Sequence, residues 1–481
     1  MKLSVTLAAF FASIAVSDVQ GYTNPVIIKN YKMFDAKTGA PFAVKGIDYY
    51  PRPNTGEYDV NNLDMFTDTF ESVWSSDIDY LAATGANAVR LYAVDPSKSH
   101  DKFMCALRAK GMYALIDLAA SCRNCSITLE QYPTCYPAKL KSRGEQIILA
   151  FAKYDNVLAF SAGNEINNEV GMYANKNAPC QKKFIRDMRA FVEVNAKYYN
   201  CRTLSSDSYE NAEWYGINAY QYCDNNQKTL VAATGFNRLQ TEFASYKMTI
   251  PVMLTEYGCL NEGFPKVNNY EAQRTWLQAQ WLYSSDFRKV FSGGFVFEYS
   301  TENANSKGST PASEYPFTNY GPQNYGLGYY SPMNCDHKTV PCVYNPMPNY
   351  NNLAVQYNAT DISSEGAMSA FTPDSDRTTI PTCPSNFSKL ADITWESDSL
   401  ASLSCPSAVQ AYTCPNQVSS GVWATDNGST GGSGSSSSPS ASTTSTKNNT
   451  TSSKSGATRQ FSLTASAASV TLLSAILSVL F

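Results

Sequence analysis

Between about residue 42 and about residue 300 the chain alternates two hydrophobic patterns. Short, nearly continuous apolar runs recur eight times: "FAVKGIDYY" (42–50), "NAVRLYAV" (87–94), "MYALIDL" (112–118), "VLAFSAGN" (157–164), "TLSSDS" (203–208), "WYGINAY" (214–220), "PVMLTEYG" (251–258) and "GGFVFEYS" (293–300). Most are separated by amphipathic stretches such as "ESVWSSDIDYLAATG", "DKFMCALRAKG" and "QKKFIRDMRAFVEVNAKYY". The runs predict strands buried on both faces, and the stretches between them predict covering helices. Eight such units are the pattern of an α/β chain closed into a (β/α)8 TIM barrel, although the fifth-to-sixth crossover is short for a helix.

In a barrel of this kind the chemistry lies where strands end and the following loops begin. The polar residues there are Asp48 and Tyr49, Arg90 and Tyr92, Asp117, Asn164 and Glu165, Ser206 and Asp207, Asn218 and Tyr220, Glu256 and Tyr257, and Glu298 and Tyr299. They are expected to converge on one cleft. Glu165 and Glu256 stand out, because strands four and seven end on opposite sides of the mouth. A carboxylic acid that protonates a glycosidic oxygen and a carboxylate that attacks the anomeric carbon, about 5–5.5 Å apart, break a glycosidic bond with retention. Asn164, beside Glu165, is suited to a sugar 2-OH, and Tyr220 to a hydrogen bond that keeps a carboxylate ionised. An isolated Glu at such a place is more often a helix N-terminal or solvated residue, and Glu169, Glu298 and Glu302 keep that plainer reading.

Composition narrows the alternatives. With 37 basic and 41 acidic residues in 481, a net charge of −4 gives no electrostatic case for nucleic acid. Only His100 and His337 are present, and neither falls at a strand end, which leaves a Ser-His-Asp hydrolase poorly supplied. No Gly-rich phosphate loop appears and no cofactor is expected. Aromatic residues, at 13% with 32 Tyr, can line a sugar cleft as readily as they fill a core.

The ends predict export. Lys2 followed by an apolar stretch to Val16, then Ala15-Val16-Ser17, reads as a signal peptide over residues 1–17. Residues 18–360 form the catalytic barrel with its Tyr-, Asn- and Gly-rich wrapping, and residues 361–425 a small extension with Cys383, Cys405 and Cys414. A Ser/Thr-rich linker over 426–456 precedes an apolar stretch within 457–481. Small residues ahead of that stretch predict GPI attachment at Gly456 or Ser455 and an address on the outer leaflet of the plasma membrane and in the cell wall. Thirteen cysteines suit an oxidising compartment; Cys122 and Cys125 form a lone CxxC without a second pair, so no metal is expected. Sequons at Asn358, Asn386, Asn427, Asn448 and Asn449 agree with a secreted surface, and the one at Asn124 has a Cys in its middle position.

Taken together and in order, "FAVKGIDYYP", "GANAVRLYAVDP", "FSAGNEINNE", "WYGINAYQYC", "TEYGC" and "FSGGFVFEY" resemble the fungal-type β-1,3-glucanosyltransferases of glycoside hydrolase family 72, over roughly residues 25 to 345. The resemblance implies a retaining enzyme with Glu165 as acid/base and Glu256 as nucleophile. Such an enzyme cleaves β-1,3-glucan internally and transfers the new reducing end of the donor fragment to the non-reducing end of another β-1,3-glucan, elongating wall glucan. Its partners would be donor and acceptor glucan and, through the GPI anchor, the membrane. Tyr92, Asp117, Asn164 and Tyr220 fall on matching motif positions and would line the donor side; Tyr49, Arg90, Asp207 and Tyr299 join them as strand-end candidates for substrate binding. The resemblance also implies a Cys223–Cys259 disulfide. Departures are Thr128-Leu129 after Ser126-Ile127, Phe297 where the family has Tyr, Tyr50 where Gln is common, and a displaced Cys105. No eight-cysteine carbohydrate-binding module follows the barrel. A retaining endo-β-1,3-glucanase and an inactive wall-binding protein remain the competing classes.

Overall fold

A strand with both faces buried must be apolar throughout, and the runs that meet this condition form the sheet. The computed structural model describes residues 23–166, 174–192, 206–220, 227–258, 274–302 and 325–383, with single positions and short stretches at 202, 204 and between 385 and 424. A hairpin of β1 (Val26–Lys29) and β2 (Lys32–Asp35) precedes β3 (Val44–Tyr49). There follow α1 (Glu71–Ala83), β4 (Ala88–Leu91), α2 (Asp101–Ala109), β5 (Tyr113–Asp117), α3 (Ala138–Phe151), β6 (Val157–Ser161) and α4 (Ala174–Val192). Next come β7 (Tyr215–Ala219), α5 (Thr234–Ser245), β8 (Val252–Tyr257), the short helices α6 (Leu277–Leu282) and α7 (Ser285–Arg288), and β9 (Phe291–Val296).

Strands β3 to β9 make one curled, seven-stranded parallel sheet in the order β6-β5-β4-β3-β9-β8-β7. The first and last barrel strands, β3 and β9, pair with each other, so the order is that of a (β/α)8 barrel. The position between β6 and β7 is where the fifth predicted strand belongs. "TLSSDS" is not a strand among the described residues: Arg202 makes an isolated bridge to Thr382, Leu204 is exposed, and residues 208–209 turn. Five of its six residues are Thr, Ser or Asp, too polar for a strand buried on both faces.

Strand alternation separates two apolar layers. Val44, Ala88, Tyr113, Leu115, Met253 and Phe295, with Met33 from β2, pack inside the barrel. Ile47, Tyr49, Val89, Leu91, Ala114 and Ile116 belong to the larger layer shared with the helices. Gly46 is required on the inner side, because a Cβ there would stand 2.2 Å from the Phe295 ring.

Beyond the barrel, β10 (Gly328–Ser331) and β11 (Val343–Pro346) form a hairpin whose ends are tied by Cys335–Cys342, and α8 (Pro348–Asn358) follows. The later residues are stitched to the helices: Cys105 on α2 bonds Cys414, Lys183 on α4 pairs with Asp398 at 2.6 Å, and Leu390 and Trp395 enter the core. A further pair, β12 (Ala408–Gln410) and β13 (Val422–Ala424), is antiparallel. Cys122 bonds Cys125 and Cys135 bonds Cys180, so the lone CxxC is spent on a disulfide. The leader, the linker, the GPI region and the Cys223–Cys259 pair lie outside the described residues. No helix among the described residues is long and apolar enough to cross a membrane.

Candidate active site

Continuing the inner-face parity upward places three charged residues above the apolar floor: Asp48 after Val44 and Gly46 on β3, Arg90 after Ala88 on β4, and Asp117 after Tyr113 and Leu115 on β5. All three are buried. Arg90 grips Asp117 with two parallel bonds, Nε to Oδ1 at 3.1 Å and Nη2 to Oδ2 at 2.9 Å. Its remaining donors reach Glu256 Oε1 at 3.1 Å, the Thr255 carbonyl at 3.3 Å and Asn164 Oδ1 at 3.0 Å. A planar guanidinium is suited to this role, since its fork of donors fixes several acceptors in one plane. Burial opposes its charge, but Asp117, Tyr92 and Glu256 hold it firmly protonated.

Glu256 reaches the cluster through an irregularity in β8. The pairing register shifts between Leu254 and Tyr257 against β9 and between Ile217 and Asn218 against β7. There the consecutive residues Thr255 and Glu256 both meet site residues: Thr255 Oγ1 donates to Asn218 Oδ1 at 2.9 Å, while Glu256 accepts from Arg90. Such a break in regular alternation can turn a side chain that strict period-two pleating would send to the other face. The Glu256 carboxylate also accepts from Tyr92 Oη at 3.1 Å and from Tyr220 Oη at 2.9 Å. Burial pushes its pKa above the ordinary value; Arg90 pulls it down, Glu165 adds a repelling charge, and the two phenols lower it again. Burial raises the phenols themselves, so both remain hydroxyl donors. The Arg90 guanidinium also lies over the Tyr92 ring at 4.5 Å.

Asn164 and Glu165 follow β6 and are exposed, facing the open mouth. Glu165 holds φ of 50°, a left-handed conformation uncommon for a residue with a side chain. Its Oε1 accepts from Asn218 Nδ2 at 3.1 Å, and the same amide donates to Asn164 Oδ1 at 3.2 Å. Asn164 Oδ1 therefore receives both Arg90 and Asn218, which turns its Nδ2 into the end that can donate to a ligand. A cavity of about 980 Å3 runs along the facing edges of β6 and β7 and has Arg90, Asn164, Glu165 and Asn218 in its lining.

The structure brings together Arg90, Tyr92, Asp117, Asn164, Glu165, Tyr220 and Glu256. Arg90 and Asp117, expected to touch substrate, are 1% and 3% exposed; Arg90 bonds Glu256 and Asn164, and Asp117 holds Arg90. Tyr49 and Tyr299 do not join the cleft. Tyr49 has the opposite parity to Asp48, Tyr299 lies beyond the end of β9, both are 0% exposed, and their hydroxyls donate to Asp77 on α1 at 2.9 and 3.0 Å. Asp207 also lies apart, its carboxylate paired with Arg186 on α4 at 3.2 Å. Glu298 and Glu302 share Arg52, each at 2.7 Å. Phe297 packs edge-on against Tyr220 and Tyr325. Two residues noted only as strand ends prove central: Asn218, which bridges Asn164 and Glu165, and Asp48. Their inner-face parity was the available signal. Among the described residues no group of three or more His, Cys, Asp or Glu could hold a metal ion.

The profile of the glucanosyltransferase family, glycoside hydrolase 72, matches residues 15–197 and 193–309. The 1,3-beta-glucanosyltransferase gas5 of Schizosaccharomyces pombe is 30% identical over 300 residues, covering 59% of this chain and 56% of that protein. The 1,3-beta-glucanosyltransferase gel2 of Aspergillus fumigatus is 26% identical over 376 residues, covering 74% and 68%. Against the first curated relatives, the chain spans 56%, 61% and 59% of their length, less than two thirds. Among solved structures, Saccharomyces cerevisiae Gas2p in complex with laminaripentaose superposes with a TM-score of 0.55 at 25% identity, covering 75% of this chain and 74% of that one.

Proposed function

This chain belongs to the glucanosyltransferase family, glycoside hydrolase 72, and from that premise we propose that it is a retaining β-1,3-glucanosyltransferase. It would cleave β-1,3-glucan internally and join the new reducing end of the donor fragment to the non-reducing end of a second β-1,3-glucan. The observation that carries this reading is a carboxylate, Glu256, held by a guanidinium and two phenols, with an exposed Glu165 whose Oε1 accepts from Asn218 at the same cleft. Family relatives bear the activity in their names, and the Gas2p neighbour holds a laminari-oligosaccharide.

In the first half-reaction a Glu256 oxygen attacks the anomeric carbon while Glu165 gives its proton to the departing glycosidic oxygen. The carbon–oxygen bond of the glucan breaks and a glycosyl ester on Glu256 forms. Three charge-stabilising donors make Glu256 a capable leaving group in the second half as well as a pre-aimed nucleophile. Asn164, whose Oδ1 is committed to Arg90 and Asn218, offers its N–H to the 2-OH as oxocarbenium character develops. In the second half the Glu165 carboxylate takes the proton from an acceptor hydroxyl, that oxygen bonds the anomeric carbon, and Glu256 is released.

The extension, stalk and GPI attachment at Gly456 or Ser455 complete the proposal, with the enzyme on the outer leaflet facing wall glucan; release by phosphatidylinositol-specific phospholipase tests the anchor. Incubation of the purified protein with reduced laminari-oligosaccharides tests the activity. Products longer than the starting oligosaccharide are expected, whereas a product set containing only shorter species makes the enzyme an endo-β-1,3-glucanase.

A further inference from the structure

Thr255 and Glu256 are consecutive on β8, and the side chains of both meet site residues. Glu256 has its part in the proposed reaction; the buried Thr255 has none. Its hydroxyl donates to Asn218 Oδ1 on β7 at 2.9 Å. Gly216, two residues before Asn218, leaves the room that Thr255 fills, since a Cβ there would stand 2.6 Å from Thr255 Cγ2.

The amide that Thr255 meets is engaged at both ends. Asn218 Nδ2 donates to Asn164 Oδ1 at 3.2 Å and to Glu165 Oε1 at 3.1 Å, while Oδ1 accepts from Thr255. A half-turn of an amide exchanges its oxygen and nitrogen, so the direction of these bonds depends on the neighbours. Arg90 Nη2, donating to Asn164 Oδ1 at 3.0 Å, fixes that oxygen as an acceptor on one side of Asn218. Thr255 supplies the matching donor on the other side. A turned Asn218 would set its carbonyl against Asn164 Oδ1 and would draw the proton of a Glu165 carboxylic acid onto itself. With the hydroxyl of Thr255 gone, the carbonyl of Asn218 would lose this donor, and the present orientation would lose half of its support.

We propose that Thr255 is a positioning residue of the reaction: its hydroxyl locks Asn218 as a donor to Glu165 Oε1, and so reserves Glu165 Oε2 for the proton that is transferred. The inference rests on the proposed acid/base role of Glu165. In the first half-reaction the proton passes from Oε2 to the glycosidic oxygen as its bond to the anomeric carbon breaks, and the carboxylate left behind keeps the Asn218 bond at Oε1. In the second half Oε2 takes the proton back from the acceptor hydroxyl. The hydrogen bonds run from Glu256 through Arg90, Asn164 and Asn218 to Glu165, and Thr255 ties Asn218 back to the residue next to Glu256. One strand thereby carries the nucleophile and sets the donor that serves the acid/base.

The test compares two donors on the whole purified protein. A laminari-oligosaccharide needs a proton on its leaving oxygen, whereas a dinitrophenyl laminari-oligoside releases a stable phenolate without one. Thr255→Val, which keeps the shape and removes the hydroxyl, is expected to lower kcat on the oligosaccharide about tenfold at nearly unchanged KM, yet to keep first-turnover dinitrophenol release within about threefold. Thr255→Ser should restore the oligosaccharide rate. Asn218→Ala should show the same selective loss, and it serves in place of Thr255→Val should that variant fail to fold. Equal losses on the two donors, or a wild-type oligosaccharide rate in folded Thr255→Val, overturns the inference. Glu165→Gln separates this inference from the reading beneath it. Selective loss in Glu165→Gln without selective loss in Thr255→Val sinks the role of Thr255 alone, while equal loss on both donors in Glu165→Gln sinks the acid/base assignment and the role of Thr255 with it.

Discussion

Asp48 and Tyr49 are neighbours on β3, yet they belong to two different buried clusters. Asp48 faces the barrel interior, where Arg90 holds Asp117 and Glu256. Tyr49 faces the helices, where it joins Tyr299 and Tyr330 in donating to Asp77. In the first cluster carboxylates outnumber the cation, and the charge is distributed by donors that open toward the cleft. In the second a single carboxylate is closed off by three phenols, with no cation paired to it among the described residues, and burial lifts it to about 6. The comparison separates two uses of a buried acid: one keeps a reactive carboxylate aimed and accessible, while the other binds layers of the fold together.

The most severe separation is expected from the reacting pair. Glu165→Gln and Glu256→Gln should each reduce transglycosylation by about 10³-fold or more while the thermal midpoint stays near wild type, measured by product sizing alongside calorimetry. Either variant with full turnover would defeat the catalytic assignment. Arg90→Met should damage both properties, because it leaves Asp117 and Glu256 buried without their cation. Denaturant titration should show a loss of roughly 3–5 kcal/mol.

The Asp77 cluster should respond to pH instead. Its folded pKa, about 6 against an ordinary 3.8, means the folded state holds the proton more tightly. The associated stability is present below about pH 4 and lost as pH rises through 6, by up to roughly 3 kcal/mol. Asp77→Asn should remove that share of the pH slope in chemical denaturation at pH 4 and pH 7, and an unchanged slope would refute the assignment. The finest contrast removes one hydroxyl from each cluster. Tyr92→Phe should lower kcat about tenfold with little change in stability, and Tyr49→Phe should cost about 1–2 kcal/mol of stability with kcat unchanged. Reversal of that pattern would mean the two clusters share their roles.

Much of the barrel was legible because its signals are local. Continuous apolar runs marked seven strands of the described sheet, and the Asn-Glu and Glu residues at two strand ends pointed to the candidate pair. The polar run at 203–208 differs for the converse reason: its spacing fitted a strand, but its described residues, 204 and 206–208, form none. Tyr49 was assigned to the cleft because its strand end was read without its parity, and Tyr299 because the strand was read past its end at Val296. Arg90 and Asp117 lie at strand ends, but both are buried and paired with each other, and Arg90 is bonded to Glu256 and Asn164.

Hydrophobic periodicity and residue type alone determined the barrel class, the order of its strands and which carboxylates lie at strand ends, since these follow from patterns repeated every two or 3.6 residues. The face each side chain occupies near an irregular register, and the sharing of one guanidinium among groups 27 to 166 residues apart, were decided by the tertiary structure. The register break that accompanies Glu256 beside Arg90, and the missing donor that leaves Asp48 without a partner, arise from packing between strands. No single segment of the chain carries that information, because a hydrogen bond exists only when both of its ends have been brought together.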